Sequence, residues 1–427
     1  MRKRLLLLAL LALGGVAAAL WLHPRRQPLP PRLYVVNALS RDLSVIDAAG
    51  DTEIRRLPLD ASAYRIALAP RGDLAYITTA PGVLPGETPA ALLLCDLRKD
   101  EVTARIPLPD LAPLASVHVS PRGSRVYVVT AARPGRRNLE RGRVLVVDTW
   151  RKRLVKTISI GLNPLDSAMT PDGATLFTAD WSSCALSVID LRTERLVDTI
   201  PLGGSAPRAL AMRADGAKLY VALERFPAAW PSQQTPSSLL EVDTRTHAVT
   251  PIPLPALSTV TALALAPDGN ELYAYGRVTI PVSSWNLPQQ MNEQLNARVR
   301  QTAPVMRGDA YHLVRINLRK RETEQEYGDF GYLSAMTFSP DGGKLYLIGT
   351  AGSSVQLAQR TDDYHLRNRL ALNSATATAP LDDDSVRAID TLRQQAKTVT
   401  VLDPRTGDTR KTIPIGNLPQ GYALTGK

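Results

Sequence analysis

Leu33-Tyr34-Val35-Val36-Asn37, read on through Ser44-Val45-Ile46-Asp47, is an apolar run followed within a few residues by a second run closed by an acid. The same pattern restarts at Leu74, Val126, Leu176, Leu219, Leu272 and Leu345, with closing residues Asp96, Asp148, Asp190, Asp243, Asn317 and Asp403. A third run ends near Ile-Pro (Ile106-Pro107, Ile200-Pro201, Ile413-Pro414). A fourth, such as Ala262 to Leu265, runs into a turn of the type Pro171-Asp172-Gly173, Pro267-Asp268-Gly269 or Pro340-Asp341-Gly342. Proline presets the turn angle, aspartate bonds nearby backbone and glycine accepts positive φ. Four short strands between turns, repeated seven times, predict an all-β, seven-bladed propeller of four-stranded antiparallel blades.

Name the strands of a blade A to D from the axis outward. The chain enters on a B strand at Leu33 and leaves on an A strand near Gly421 to Thr425, so the last strand is expected to complete the first blade and remove an open edge. From each closing residue to the next B strand the spacing holds between 27 (47 to 74) and 30 (96 to 126) residues. From B strand to closing residue it ranges from 14 (33 to 47) to 58 (345 to 403). The insertions therefore fall between strands B and C, on the face shared with the D to A loops, where repeat proteins carry their binding loops. The largest are expected over 276–311 and 349–397, with short helices over Leu287 to Gln301 and Ser385 to Ala396. The acids Asp382 to Asp384 read as the start of the second helix.

The units resemble the YVTN family of propeller repeats. Leu33 to Asn37, Ser187 to Asp190, Val197 to Gly203 and Pro171 to Gly173 carry the likeness, which spans almost everything after Arg32. That resemblance is specific for fold and covers binding proteins, lactonase-like enzymes and redox-enzyme subunits, so function has to come from the site.

Met1-Arg2-Lys3-Arg4 precedes Leu5 to Leu22, which has neither charge nor proline, and His23-Pro24-Arg25-Arg26 follows. Residues 1–22 read as a signal segment or membrane anchor, an apolar helix. Ala17-Ala18-Ala19 offers a cleavage site, yet Leu20-Trp21-Leu22 extends the apolar run past it and favours an uncleaved anchor. Residues 23–32 carry four prolines, read as a semi-rigid stalk, and 33–427 form the propeller. This arrangement implies an extracytoplasmic location.

Net charge is +11, but six positive residues precede Leu33, leaving 45 basic against 40 acidic, or +5, for the propeller. That is no nucleic-acid footprint, and 4 Phe and 5 Trp leave few stacking surfaces for single strands. Arg133, Arg136, Arg137, Arg141 and Arg143 cluster in the expected B to C loop of the third unit. They read either as a solvated loop or as a contact for an acidic protein partner or anionic lipid. Cys95 and Cys184, placed on C strands of non-adjacent units, read as unpaired small apolar residues. The five histidines show no metal-ligand spacing, and no nucleophile elbow, phosphate loop or haem attachment motif is present, so neither metal nor cofactor is expected.

Aligning the seven A strands on their closing turn exposes outliers. Three positions before the turn lie Ala67, His118, Ala168, Ala211, Ala264, Thr337 and Ala423, where small residues suit a crowded axis and His118 does not. Five positions before it, Arg65 and Asp166 stand out. On consecutive A strands, these three form either a site for a small polar or anionic ligand or an internally satisfied network. Tyr64, Arg208, Trp181 and Tyr332 are further rim candidates. The composite expectation is a membrane-tethered propeller that binds a protein or small ligand on its inserted face. The alternatives are a lactonase-like hydrolase, which needs His118, Arg65 and Asp166 at hydrogen-bond distance, and a non-catalytic propeller subunit similar to those of amine dehydrogenases.

Overall fold

A computed structural model describes residues 29–79, 89–109, 116–130, 141–224, 239–254, 257, 259–280, 308–327, 330, 333–350, 397–417 and 419–425. Seven blades of four antiparallel strands form a ring. In the first blade the C-terminal strand Pro419–Leu424 lies in position A beside Arg32–Asn37, Asp42–Asp47 and Thr52–Pro58. Leu33 pairs with Leu424 and Val35 with Tyr422, so the expected interlock is present. The other A strands are Ala63–Leu68, Ser116–Val119, Pro164–Met169, Ala206–Met212, Thr259–Leu265 and Leu333–Phe338. One antiparallel pair, Glu224 with Thr259, additionally joins blade five to blade six.

Strand alternation explains why the B and C runs are apolar on every residue. Each strand is covered on both faces, so it sends successive side chains to two different seams. Leu33 and Val35 pack with Tyr346, Ile348 and Val399 of blade seven. Tyr34 and Val36 pack with Ala75, Ile77 and Leu93 of blade two. Each B strand also buries an aromatic ring at the same place in the repeat: Tyr34, Tyr76, Tyr127, Phe177, Tyr220, Tyr273 and Tyr346. Two of these latch neighbouring blades, Tyr273 Oη donating to Pro404 O at 2.7 Å and Tyr346 Oη to Ala48 O at 3.3 Å. The D strands are largely exposed, and charges such as Arg56 and Lys411 protect their free edges.

The recurrent closing acid is a turn cap. Asp148 Oδ1 accepts the backbone N–H groups of Trp150 (3.0 Å) and Arg151 (2.8 Å), and Asp243 Oδ1 those of Arg245 (3.1 Å) and Thr246 (2.8 Å). These bonds satisfy donors that the C to D turn leaves open, and they hold both carboxylates below the usual range.

Several expectations change. In blade six, strands Glu271–Ile280 and Gly308–Asn317 run past the repeat and pair as far as Ile280 with Gly308, so both ends of the 276–311 insert are a lengthened hairpin. Residues 349–350 and 397 likewise belong to strands. Arg141 and Arg143 lie on the C strand Arg141–Asp148 rather than in a loop, with Arg143 paired to Thr130. Cys184 is not on a strand. It follows the 3-10 turn Trp181–Ser183 with φ of +50° and is half-buried, whereas Cys95 is buried on its strand and both are free. Residues 1–28, Arg133, Arg136, Arg137 and the two expected insert helices lie outside the described residues. Among the described residues, no helix is long and apolar enough to cross a membrane.

Candidate functional site

The A strands converge on an axial cavity of about 340 Å³. Arg65, His118, Asp166 and Arg208 line it, each from a different blade, as do Ser116, Ser167 and Tyr422. Close approach of the strands requires a missing side chain at one place. A Cβ on Gly421 would lie 2.7 Å from the Tyr64 carbonyl oxygen and 3.0 Å from Arg65 Cα, so the closing strand can sit against blade two only as glycine.

Ser167 is the hub. Its N–H donates to Asp166 Oδ1 at 2.8 Å, while its Oγ lies 2.7 Å from His118 Nε2 and 2.9 Å from Ser116 Oγ. Asp166 Oδ2 accepts Leu210 N–H at 2.9 Å, tying blade four to blade five. Arg65 Nη1 donates to Tyr64 O at 3.0 Å and to Gln420 O, tying blade two to the closing strand. His118 and Asp166 thus meet through Ser167, and the convergence required by a hydrolase reading takes this indirect route.

The site is half-buried toward the channel yet enclosed by protein on its other sides, which explains its titration. Loss of hydration raises Asp166 from 3.8 to about 6, against two backbone N–H bonds and the Arg65 charge that lower it. The same desolvation lowers His118 from 6.5 to about 4, so at neutral pH the ring is uncharged and offers one donor and one acceptor. Tyr422 is raised by burial and remains a phenol. The cavity therefore presents two guanidinium groups, one carboxylate and several neutral hydroxyl and imidazole groups, a set suited to a small polar or anionic molecule.

Of the sequence candidates, Arg65, His118, Asp166 and Arg208 come together. Tyr64 does not: it is buried in the seam between blades two and three. Trp181 sits in the 3-10 turn, its N–H donating to Asn163 O at 3.1 Å, away from the cavity lining. Tyr332 lies outside the described residues. Ser167 and Tyr422 were not singled out by the sequence. Both are outliers one column over, four positions before the turn, where the series reads Ile66, Val117, Ser167, Leu210, Leu263, Met336 and Tyr422.

A larger cleft of about 620 Å³ lies on the opposite face between blades three and four. Its Arg125 is already paired, with Asp148 at 2.7 Å and with Glu194 at 3.5 Å, so we take the axial cavity as the site. No group of three or more His, Cys, Asp or Glu side chains able to hold a metal occurs among the described residues.

No family model matches this chain, and no curated protein matches it. Among solved structures, Kuenenia stuttgartiensis hydrazine synthase is similar, with 18% identity and a TM-score of 0.54, covering 74% of this chain and 88% of that one. At that identity the likeness shows the propeller fold alone.

Proposed function

We propose that the chain is an extracytoplasmic propeller, tethered to a membrane by residues 5–22, that acts as a binding scaffold with a small polar or anionic ligand held in the axial cavity. The observation that carries the binding half is the Ser167 hub: polar side chains from two consecutive A strands, Ser116 and His118 on one and Asp166 and Ser167 on the next, meet at the wall of the axial cavity, with His118 in a column otherwise made of small residues. Packing of the A strands alone is served by Ala in the His118 column, as at Ala211 and Ala264. Occupancy of the full chain by small molecules, compared with Ser167 and Arg65 variants, tests it.

The tether rests on the uninterrupted apolar run from Leu5 to Leu22 and the basic residues before it. The full-length protein is expected to stay in the membrane fraction through a carbonate wash and to keep Met1 or Arg2 at its N-terminus. A soluble form beginning at Leu20 would instead establish cleavage after Ala19.

A further inference from the structure

The chain enters the ring at a defined place. Pro30 O accepts the Thr425 hydroxyl at 3.1 Å, Pro31 O accepts Ala48 N–H at 3.1 Å, and Leu29 packs into the seam between blades one and two. Ala48 opens a C to D turn, so residues 29–31 are pinned on the face formed by the A to B and C to D turns, opposite the B to C inserts. Only six residues, 23–28, separate that point from the apolar run, and a chain of that length spans at most ~22 Å. A tether through residues 5–22 therefore keeps this face next to the bilayer.

The turns beside the tether are chained to one another. The position of a Gly72 Cβ touches Thr425 at 3.5 Å, and that of a Gly123 Cβ touches Pro70 at 3.4 Å. Thr149 Oγ1 then donates to Gly123 O at 2.8 Å. Along this row stand exposed Arg71, Arg122, Arg151 and Lys152. At its end Trp150 is 86% exposed, far beyond the other large apolar side chains among the described residues, of which the next is Val197 at 56%. The nearby acids are largely engaged: Asp148 with Arg125, Glu194 with Arg125 and Lys156, and Asp100 with Arg55. Asp73, Asp96 and Asp172 are opposing charges beside the row, Asp96 capping its own turn through the Arg98 and Lys99 backbone N–H groups.

We propose that this face docks on the bilayer, with Trp150 inserted at the lipid headgroup level and Arg71, Arg122, Arg151 and Lys152 against anionic headgroups. An indole with an apolar body and one N–H suits the interface between headgroups and acyl chains, and basic side chains beside it gain from a negative surface. A hydrophobic anchor alone leaves the domain free to tumble. The tether makes docking intramolecular, so one tryptophan and a few charges suffice. The axial cavity and the inserts then face away from the membrane, open to the aqueous compartment. This inference rests on the tether reading above.

The experiment uses the full-length chain in vesicles of phosphatidylcholine alone or mixed with phosphatidylglycerol, with or without brominated acyl chains. Flotation reads the tether. The Trp150 signal is the difference in fluorescence between wild type and Trp150→Phe, a change confined to an exposed side chain. The expected result is complete flotation in both lipids, with most of the Trp150 signal quenched by brominated lipid only when phosphatidylglycerol is present. That quenching should be lost in Arg122→Glu/Arg151→Glu and at molar salt, where screening acts within ~3 Å. Complete flotation with an unquenched Trp150 overturns docking and leaves the tether standing. Trp150 shielded from aqueous iodide but untouched by brominated lipid overturns it in favour of contact with a second copy or another protein. A chain that does not float removes both readings.

Discussion

Deleting residues 417–427 is expected to abolish folding of the propeller as a whole rather than to trim one edge. The closing strand supplies the A position of blade one, pairs with Arg32–Asn37 through five registered positions, and places Leu424 in the seam with blade seven and Ala423 in the seam with blade two. Losing the burial of several apolar side chains at ~1.5–3 kcal/mol each, together with the pairing of one strand, removes an amount comparable to the ~5–15 kcal/mol that holds a typical protein folded. Arg65 also loses its Gln420 acceptor. Thermal melting followed by near-ultraviolet circular dichroism should show no cooperative transition. A truncated chain melting within a degree or two of the intact one would rule out closure by this strand.

The second large effect is a pair of opposite pH dependences hidden in the native protein. Asp166 is raised from 3.8 to about 6, so its contribution to stability is full below pH 3.8 and is lost as pH rises through 6. His118 is depressed from 6.5 to about 4, so its contribution is full above pH 6.5 and is lost as pH falls through 4. Each shift of about two units corresponds to ~3 kcal/mol, and the two nearly cancel between pH 4 and 6.5. Asp166→Asn should therefore lose stability relative to wild type on acidification across this window, and His118→Gln should gain it. Asp180, buried with Ser187 and Thr178 and also raised to about 6, acts in the same direction as Asp166 but is common to all three proteins. Urea unfolding at several pH values decides the matter, and two variants whose curves run parallel to wild type would show that the cavity does not impose these shifts.

Much of the fold is legible in the sequence because the repeat reports physics that every blade must satisfy. The closing acids recur since each C to D turn needs a cap, and the turn glycines recur since positions such as Gly173 and Gly269 carry φ near +70°. Arg65, His118 and Asp166 were visible as departures from a column of small residues. Ser167, the residue that joins two of them, stands out only in the neighbouring column, a polar residue among mostly apolar ones, outside the columns of small residues that carry the signal. Tyr64 illustrates a different limit: next to Arg65 in sequence, it turns into a seam because successive side chains on a strand face opposite ways. The hairpin extension to Ile280 and Gly308 and the strand position of Arg141 are hard to read from the sequence because Gly276 and Gly142, which lie inside the strands, resemble strand ends. Trp150 sits in plain view in a Thr149-Trp150-Arg151-Lys152 turn, but only the fold shows that this turn shares a face with the start of the ring.

The central claim is that the axial cavity holds a ligand, and native mass spectrometry of the full-length protein released gently from membranes tests it most directly. Wild type is expected to carry a small polar or anionic adduct that is lost on collisional activation. Ser167→Ala removes the hydroxyl that joins His118 and Ser116 while keeping the backbone N–H to Asp166, and Arg65→Gln removes a cation from the lining. Both variants should fold and lose the adduct. An adduct retained equally by wild type and both variants, or a wild-type protein that stays bare in the presence of small carboxylates, phosphates and zwitterions, would contradict the account.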